Sequence, residues 1–183
     1  MRKVILDLAV TLDGYIEGPN GEVDWCILDE DMDLQGFLAG IDTILYGRVS
    51  YEMWGNYQPD SNASETDKAI WAAVHSKNKI VFSSQGQQDS NATFISSGIP
   101  EKIAEMKQQN GKDIWLYGGA KLITTFIQYG LIDIYRISMH PTVLGAGKPL
   151  FQELKGRIDL NLTGLNRFKS GVVQLIYEAK SKV

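Results

Sequence analysis

Short apolar runs alternate with amphipathic stretches along the first two thirds of the chain. The apolar runs end at turn residues and predict buried strands over 3–10, 43–46, 79–83 and 113–117. Between them, apolar positions at helical spacing predict helices over 30–39, 49–54, 66–75 and 100–109. Strands separated by helices favour parallel pairing with right-handed crossovers.

The pattern changes after about residue 131, where helical spacing gives way to longer strands. These strands are predicted over 132–141, 158–168 and 172–179. The turn residues at 169–171 join the last two strands as an antiparallel hairpin. We therefore expect a mixed α/β sheet that is parallel early and antiparallel late, with mostly loop structure over 56–66 and 84–98.

The chain has 183 residues, 44% hydrophobic and 22% charged, which is typical of one globular domain over 1–183. No apolar run approaches the ~18 residues of a membrane span. Asp7 also interrupts the apolar N-terminal run, which argues against a secretion signal. The single cysteine, Cys26, suits a reducing cytoplasm. A net charge of −4 argues against nonspecific binding to nucleic acid.

Two segments share one order of features: a short apolar strand, then glycine, then a helix. The first contains Gly47-Arg48-Val49-Ser50, and the second contains Gly118-Gly119-Ala120-Lys121-Leu122. Glycine at a strand end lets a ligand approach the backbone, and the following helix offers unpaired N–H groups to phosphate. Two such junctions on adjacent strands would hold the two phosphates of a dinucleotide. The simpler interpretation is that each glycine only turns the chain.

The remaining phosphate signals are weaker. The G-x-G-x-x-G fingerprint is absent, and Gly145-Ala146-Gly147 leads to Pro149 and is interpreted as a loop. A carboxylate at the end of such a strand would pair with the ribose hydroxyl of NAD. The strand that ends at Ser83 and Ser84 carries hydroxyls there instead, which slightly favours NADP and its 2′-phosphate over NAD. Alternatively, these serines only begin a polar loop.

Acidic residues cluster where the first helix should begin, at Asp29, Glu30, Asp31 and Asp33. Carboxylates in a first turn usually cap the helix or interact with its dipole. A remaining one that faces a desolvated cleft would have a raised pKa and could relay a proton. His75 and His140 have no second ligand nearby, so no metal site is predicted. Trp25 lies beside the acidic cluster and is a candidate substrate contact.

Four segments together resemble one known family. They are 9–16, 45–52, 117–122 and 140–151, in this order along nearly the whole chain. The sequence resembles the dihydrofolate reductase superfamily, in the branch related to the C-terminal reductase domain of the bifunctional riboflavin-biosynthesis deaminase-reductase (RibD). The resemblance implies a three-layer dihydrofolate reductase-like fold with a mainly parallel central sheet and antiparallel C-terminal strands, with NADPH as hydride donor, and a homodimer.

The resemblance also implies site residues by position. Ala9 and Ile16 would contact the nicotinamide, and Ser83 and Ser84 would lie near the adenosine 2′-phosphate. The phosphates would lie against Gly47, Arg48, Val49 and Ser50 and against Gly118, Gly119, Ala120, Lys121 and Leu122. Trp25 and Glu30 would contact substrate, and Asp31 and Asp33 are the candidate catalytic acids.

In true dihydrofolate reductases one helix carboxylate contacts the pterin, and the resemblance does not select one residue for this role. Aligning from Trp25, Gly47 or Phe37 selects Glu30, Asp31 or Asp33 respectively. The leading hypothesis is an NADPH-dependent reductase of a pyrimidine or pterin-like small molecule, resembling 5-amino-6-(5-phosphoribosylamino)uracil reductase of riboflavin biosynthesis. The alternatives are dihydrofolate reductase and a noncatalytic NADP-binding module. No nucleic-acid or membrane partner is expected.

Overall fold

The computed structural model describes residues 1–28, 30–85 and 89–180. Its strands follow the alternation of the sequence, with short additions. They are β1 (Val4–Thr11), β2 (Tyr15–Glu17), β3 (Ile41–Gly47), β4 (Asn78–Phe82), β5 (Thr93–Ile95), β6 (Asp113–Gly118), β7 (Ile134–His140), β8 (Lys148–Pro149), β9 (Leu160–Arg167) and β10 (Val173–Ala179).

Helices occupy the intervals between the early strands. They are α1 (Leu34–Ala39), α2 (Arg48–Ser50), α3 (Glu65–His75), α4 (Ile99–Gln108) and α5 (Ala120–Gln128). A 3₁₀ turn, Glu30–Met32, precedes α1, and a π-helical turn, Tyr51–Gly55, continues α2. The helix predicted over 30–39 is therefore divided, because Asp33 takes a left-handed conformation between its two parts.

The main sheet has the strand order β5-β4-β3-β6-β1-β7-β10-β9. Parallel pairing runs from β5 to β7, whereas β10 pairs antiparallel with both β7 and β9. This confirms a mixed α/β sheet with antiparallel strands at its C-terminal end. The hairpin predicted around 169–171 is the β9–β10 pair.

Two apolar cores cover the two faces of the main sheet. One packs Leu6 and Leu116 of the sheet against Ile103 of α4 and Phe126 of α5. The other packs residues of β3 and β6 against Phe37 of α1 and Val74 of α3. The near-continuous apolar character of the early strands follows from this, because both faces of a parallel sheet are covered.

A second, two-stranded sheet pairs β2 with β8 and was not predicted. Asp13 connects the same two chain regions, since its carboxylate accepts hydrogen bonds from the backbone N–H groups of Leu144 and Gly145. These bonds, together with one from the Thr11 hydroxyl, lower the pKa of Asp13. The loop after β1 and the loop after β7 are thus held together at one sheet edge.

Within the described ranges, no helix is long and apolar enough to cross a bilayer.

We predict that Ser64→Ala lowers the free energy of unfolding by about 1 kcal/mol. Ser64 caps α3, because its hydroxyl accepts a hydrogen bond from the Asp67 N–H at 3.0 Å. Urea denaturation measures the loss, and replacing the exposed Ser97 with alanine is the matched control. Equal stability of the two variants would contradict a stabilising cap.

Candidate active site

A cleft of about 2140 Å³ opens beside the carboxyl ends of β1, β3, β4 and β6. It runs along the sheet face that also carries α1 and α3, and its lining mixes apolar and polar groups. Most residues predicted for the site lie on its wall. They are Ala9, Ile16, Trp25, Asp33, Gly47, Arg48, Val49, Ser50, Ser83, Ser84, Gly119, Ala120, Lys121 and Leu122.

The two glycine junctions contact one another. Their strands, β3 and β6, are neighbours in the sheet, as the phosphate hypothesis requires. A Cβ atom added at Gly47 would lie 3.4 Å from the backbone nitrogen of Gly119, and one added at Gly119 would lie 2.9 Å from the Ser50 hydroxyl oxygen. A Cβ atom at Gly47 would therefore touch the second junction, and one at Gly119 would displace the Ser50 hydroxyl.

Gly118 is buried behind this contact and does not line the cleft. Its φ of 122° lies in a region that favours glycine. A Cβ atom there would lie 3.4 Å from the Cδ1 atom of Ile123. Gly118 therefore fixes the path of the backbone into α5, while Gly119 forms the surface of the cleft.

Each junction leads into the start of a helix. The first N–H groups of α5, at Ala120, Lys121 and Leu122, have no intrahelical partners, as at the start of any α-helix. No side chain within the described ranges caps them. At the first junction Arg48 lines the cleft, where its guanidinium is paired with Glu52 and donates two hydrogen bonds to it, at 2.8 and 2.7 Å. The arrangement offers backbone donors and positive charge to an anion.

The hydroxyl groups after β4 lie at the cleft wall. Ser83 forms a local turn, because its hydroxyl donates to the Gln85 carbonyl and accepts from the Gln85 N–H, both at 3.1 Å. Ser84 is exposed. The turn accounts for Ser83 as the start of a polar loop, while both serines still face the same cleft as Arg48.

Two members of the acidic cluster, Asp31 and Asp33, are described by the structure, and of these two only Asp33 lines the cleft. Asp33 caps α1, accepting a hydrogen bond from the Gly36 N–H at 3.0 Å. Asp31 is exposed, pairs with Lys169 at 3.7 Å, and lines a smaller neighbouring pocket of about 470 Å³. Asp29 and the side chain of Glu30 lie outside the described part of the structure. The catalytic role of Asp31 or Asp33 stays a prediction, and capping explains Asp33 without it.

Trp25 is half-buried at the cleft. Its ring meets His140 edge-on, with ring centroids 5.3 Å apart. Its indole N–H donates to the Glu22 carbonyl at 3.2 Å. Trp25 therefore lies against the end of β7 on the wall of the cleft.

Asp7 lies inside the cleft and was not predicted as a site residue from the sequence. Asp7 on β1 is paired in register with Arg136 on β7. Their side chains are only 12% and 18% exposed, and the Arg136 Nε and Asp7 Oδ1 atoms are 3.5 Å apart. Burial raises the pKa of Asp7 to about 6, although Arg136 acts in the opposite direction. The sequence feature that could have indicated Asp7 as a site residue is a charged residue inside the apolar run 3–10.

Further polar groups continue this face of β7 and β10 toward Trp25. We name the set formed by Asp7, Arg136, Ser138, His140 and Gln174 the polar strip. The Gln174 amide donates to the Ser138 hydroxyl at 3.1 Å. The ring nitrogens of His140 contact the backbone carbonyls of Ser138 at 3.0 Å and Ile27 at 3.2 Å. The prediction that His140 ends a strand is confirmed.

No group of three His, Cys, Asp or Glu side chains in the described ranges is arranged to hold a metal ion.

Comparisons with known proteins agree with this architecture. An uncharacterized Bacillus subtilis protein, YyaP, is 57% identical over 177 residues, covering 96% of this chain and 94% of the relative. A protein of Shewanella sp. PV-4, provisionally described as a riboflavin biosynthesis protein, superposes with a TM-score of 0.77 at 22% identity, covering 99% of this chain and all of the other.

A dihydrofolate reductase from Enterococcus faecalis, complexed with NADP(H), superposes with a TM-score of 0.65 at 19% identity, covering 98% and 97% of the two chains. At these identities the structural likenesses show the fold, which is dihydrofolate reductase-like. Residues 2–174 match the family described as the RibD C-terminal domain. The chain therefore belongs to the RibD C-terminal domain family.

Proposed function

We propose that this protein is an NADPH-dependent reductase of a pyrimidine or pterin-like heterocycle, or of a sugar carbonyl attached to one. The observation that carries the proposal is the contact between the junctions at Gly47 and Gly119 at the edge of one large cleft. Family membership supports a reductase, and the fold shared with an NADP(H) complex of dihydrofolate reductase supports the cofactor.

The residues at the cleft fit a dinucleotide phosphate. The absence of side chains at Gly47 and Gly119 leaves the backbone accessible, and the start of α5 offers N–H donors. Arg48 would add a charge-assisted contact by exchanging Glu52 for phosphate. When bound, NADPH supplies a hydride.

The other predicted residues receive proposed roles from their positions in the cleft. Ala9 and Ile16 would contact the nicotinamide at the end of β1, and Ser83 with Ser84 would lie near the 2′-phosphate. Trp25 would cover the substrate ring. The protein then positions the two reactants and excludes water, which lowers the entropic part of the barrier.

Titration and turnover assays test the proposal. We expect NADPH to bind, and to be oxidised when the ribosylaminopyrimidine intermediate of riboflavin synthesis or a related heterocycle is added. Faster oxidation with dihydrofolate would instead favour folate reduction. The absence of NADPH binding would contradict the proposal.

We predict that Arg48→Ala weakens NADPH binding about tenfold, because it removes one charge-assisted contact to phosphate. The dissociation constant is measured by quenching of tryptophan fluorescence. Arg157→Ala is the matched control, since Arg157 is 85% exposed and does not line the cleft. An unchanged dissociation constant in Arg48→Ala would remove this side chain from the phosphate site.

A further inference from the structure

Within the polar strip, Asp7 and Arg136 face the cleft without satisfying each other. Their closest contact, 3.5 Å, is longer than the 2.7–2.9 Å typical of a charge-assisted hydrogen bond. The Arg136 Nε atom is buried and has no hydrogen-bond partner in the described chain. Both groups therefore keep unused hydrogen-bonding capacity.

Arg136 is held in place by contacts other than Asp7. Its guanidinium carbon lies 4.7 Å from the centre of the Phe37 ring, and its Nη2 atom lies 3.5 Å from the Met32 carbonyl oxygen. On the other side, the Trp115 indole donates to the backbone carbonyl of Asp7 at 3.0 Å. The two charged groups are thus positioned by their surroundings.

Stability alone does not explain this pair. Removing two charges from water costs free energy, which only a close and fully hydrogen-bonded pair recovers. The other members of the strip are already bonded, since Gln174 contacts Ser138, and His140 contacts two carbonyls. The unused capacity is therefore concentrated at Asp7 and Arg136.

The chemistry of the pair defines what it can bind. A carboxylate only accepts hydrogen bonds, and a guanidinium only donates them. A ligand that satisfies both must present a donor beside an acceptor, as the N–H and C=O of a ring amide do. We propose that Asp7 and Arg136 bind such an amide edge of the substrate, with Asp7 accepting from the N–H and Arg136 donating to the C=O. This inference rests on the proposed function, because it places the substrate in the same cleft.

Calorimetric titration with two probes tests the pair in the full-length chain saturated with NADPH. The probes are diaminouracil and its N,N′-dimethyl derivative, which keeps both carbonyls but has no ring N–H. We expect the wild-type protein to bind diaminouracil at least about tenfold more tightly than the dimethyl derivative. This ratio corresponds to the free energy of one hydrogen bond to a charged group.

Substitutions of the two residues should change binding of the probes in different ways. Asp7→Leu removes the acceptor, so the preference for diaminouracil should fall below about threefold. Arg136→Met removes the carbonyl donor, so both probes should weaken about tenfold while the preference remains. The controls Asp159→Leu and Arg157→Met remove an exposed acid and an exposed base that pair at 3.1 Å, and should match the wild-type protein.

The dissociation constant for NADPH and the thermal midpoint are measured on every sample. If Asp7→Leu does not fold, Asp7→Asn replaces it, with the same expected direction. A wild-type protein that binds NADPH but shows no preference between the probes, or binds neither, would overturn the inference. So would a folded Asp7 variant that keeps the wild-type preference. Failure of the proposed function is distinguishable, because it shows as absent NADPH binding.

Discussion

Gly47→Val is expected to weaken NADPH binding by about 100-fold, or about 2.7 kcal/mol. A Cβ atom at this position already lies 3.4 Å from the Gly119 nitrogen and 3.6 Å from the Gly118 oxygen. The two extra methyl groups of valine would force the ends of β3 and β6 apart, and the backbone donors at the start of α5 would move with them. Fluorescence titration with NADPH measures the loss.

Two variants make this result specific. Gly47→Ala adds only the Cβ atom, so we expect a loss below about threefold. Gly156→Val is the matched control, because a Cβ atom at Gly156 would have no neighbour within 4 Å. A folded Gly47→Val protein with wild-type affinity would show that the two junctions do not share one ligand.

The stability of the wild-type protein relative to Asp7→Asn is expected to fall by about 2 kcal/mol between pH 4 and pH 7. The pKa of Asp7 is about 6 in the folded chain, above its ordinary value of 3.8, because the carboxyl is buried. The folded state therefore holds a proton that the unfolded state has already released, and its advantage is lost as the pH rises through 6.

Urea denaturation of both proteins across this range, without ligand, gives the difference directly. Subtracting the free energy of unfolding of the variant from that of the wild-type protein removes the contributions of other carboxyl groups. Asp13 and Asp89, for example, have pKa values lowered by hydrogen bonds and change stability in the opposite direction. A difference that stays constant with pH would contradict a raised pKa at Asp7.

The sequence was most informative where local patterns decide the structure. The strands predicted over 43–46 and 113–117 and the final hairpin follow from apolar runs and turn residues, and all three are confirmed within a few residues. The order of strand, glycine and helix placed the two junctions correctly at one edge of the sheet. These features depend on neighbours within a few residues.

The features that were missed depend on distant partners. Asp7 meets Arg136 only because β1 lies between β6 and β7, which no local pattern reveals. The β2–β8 pair likewise joins residues near the start of the chain to residues 148–149. Conversely, Asp33 fits the local rule for caps, and the structure gives it that role.

The central position of β1 has a consequence for biosynthesis. This strand is synthesised before both of its partners, since Val4 pairs with Ile114 and Ile5 with Ile134. Strands β3, β4 and β5 find partners sooner, because Thr43 pairs with Asn78 and Ile80 with Thr93. Strand β1 therefore stays apolar and unpaired until β6 and β7 have been translated, and during that interval its unpaired edges expose the nascent chain to aggregation.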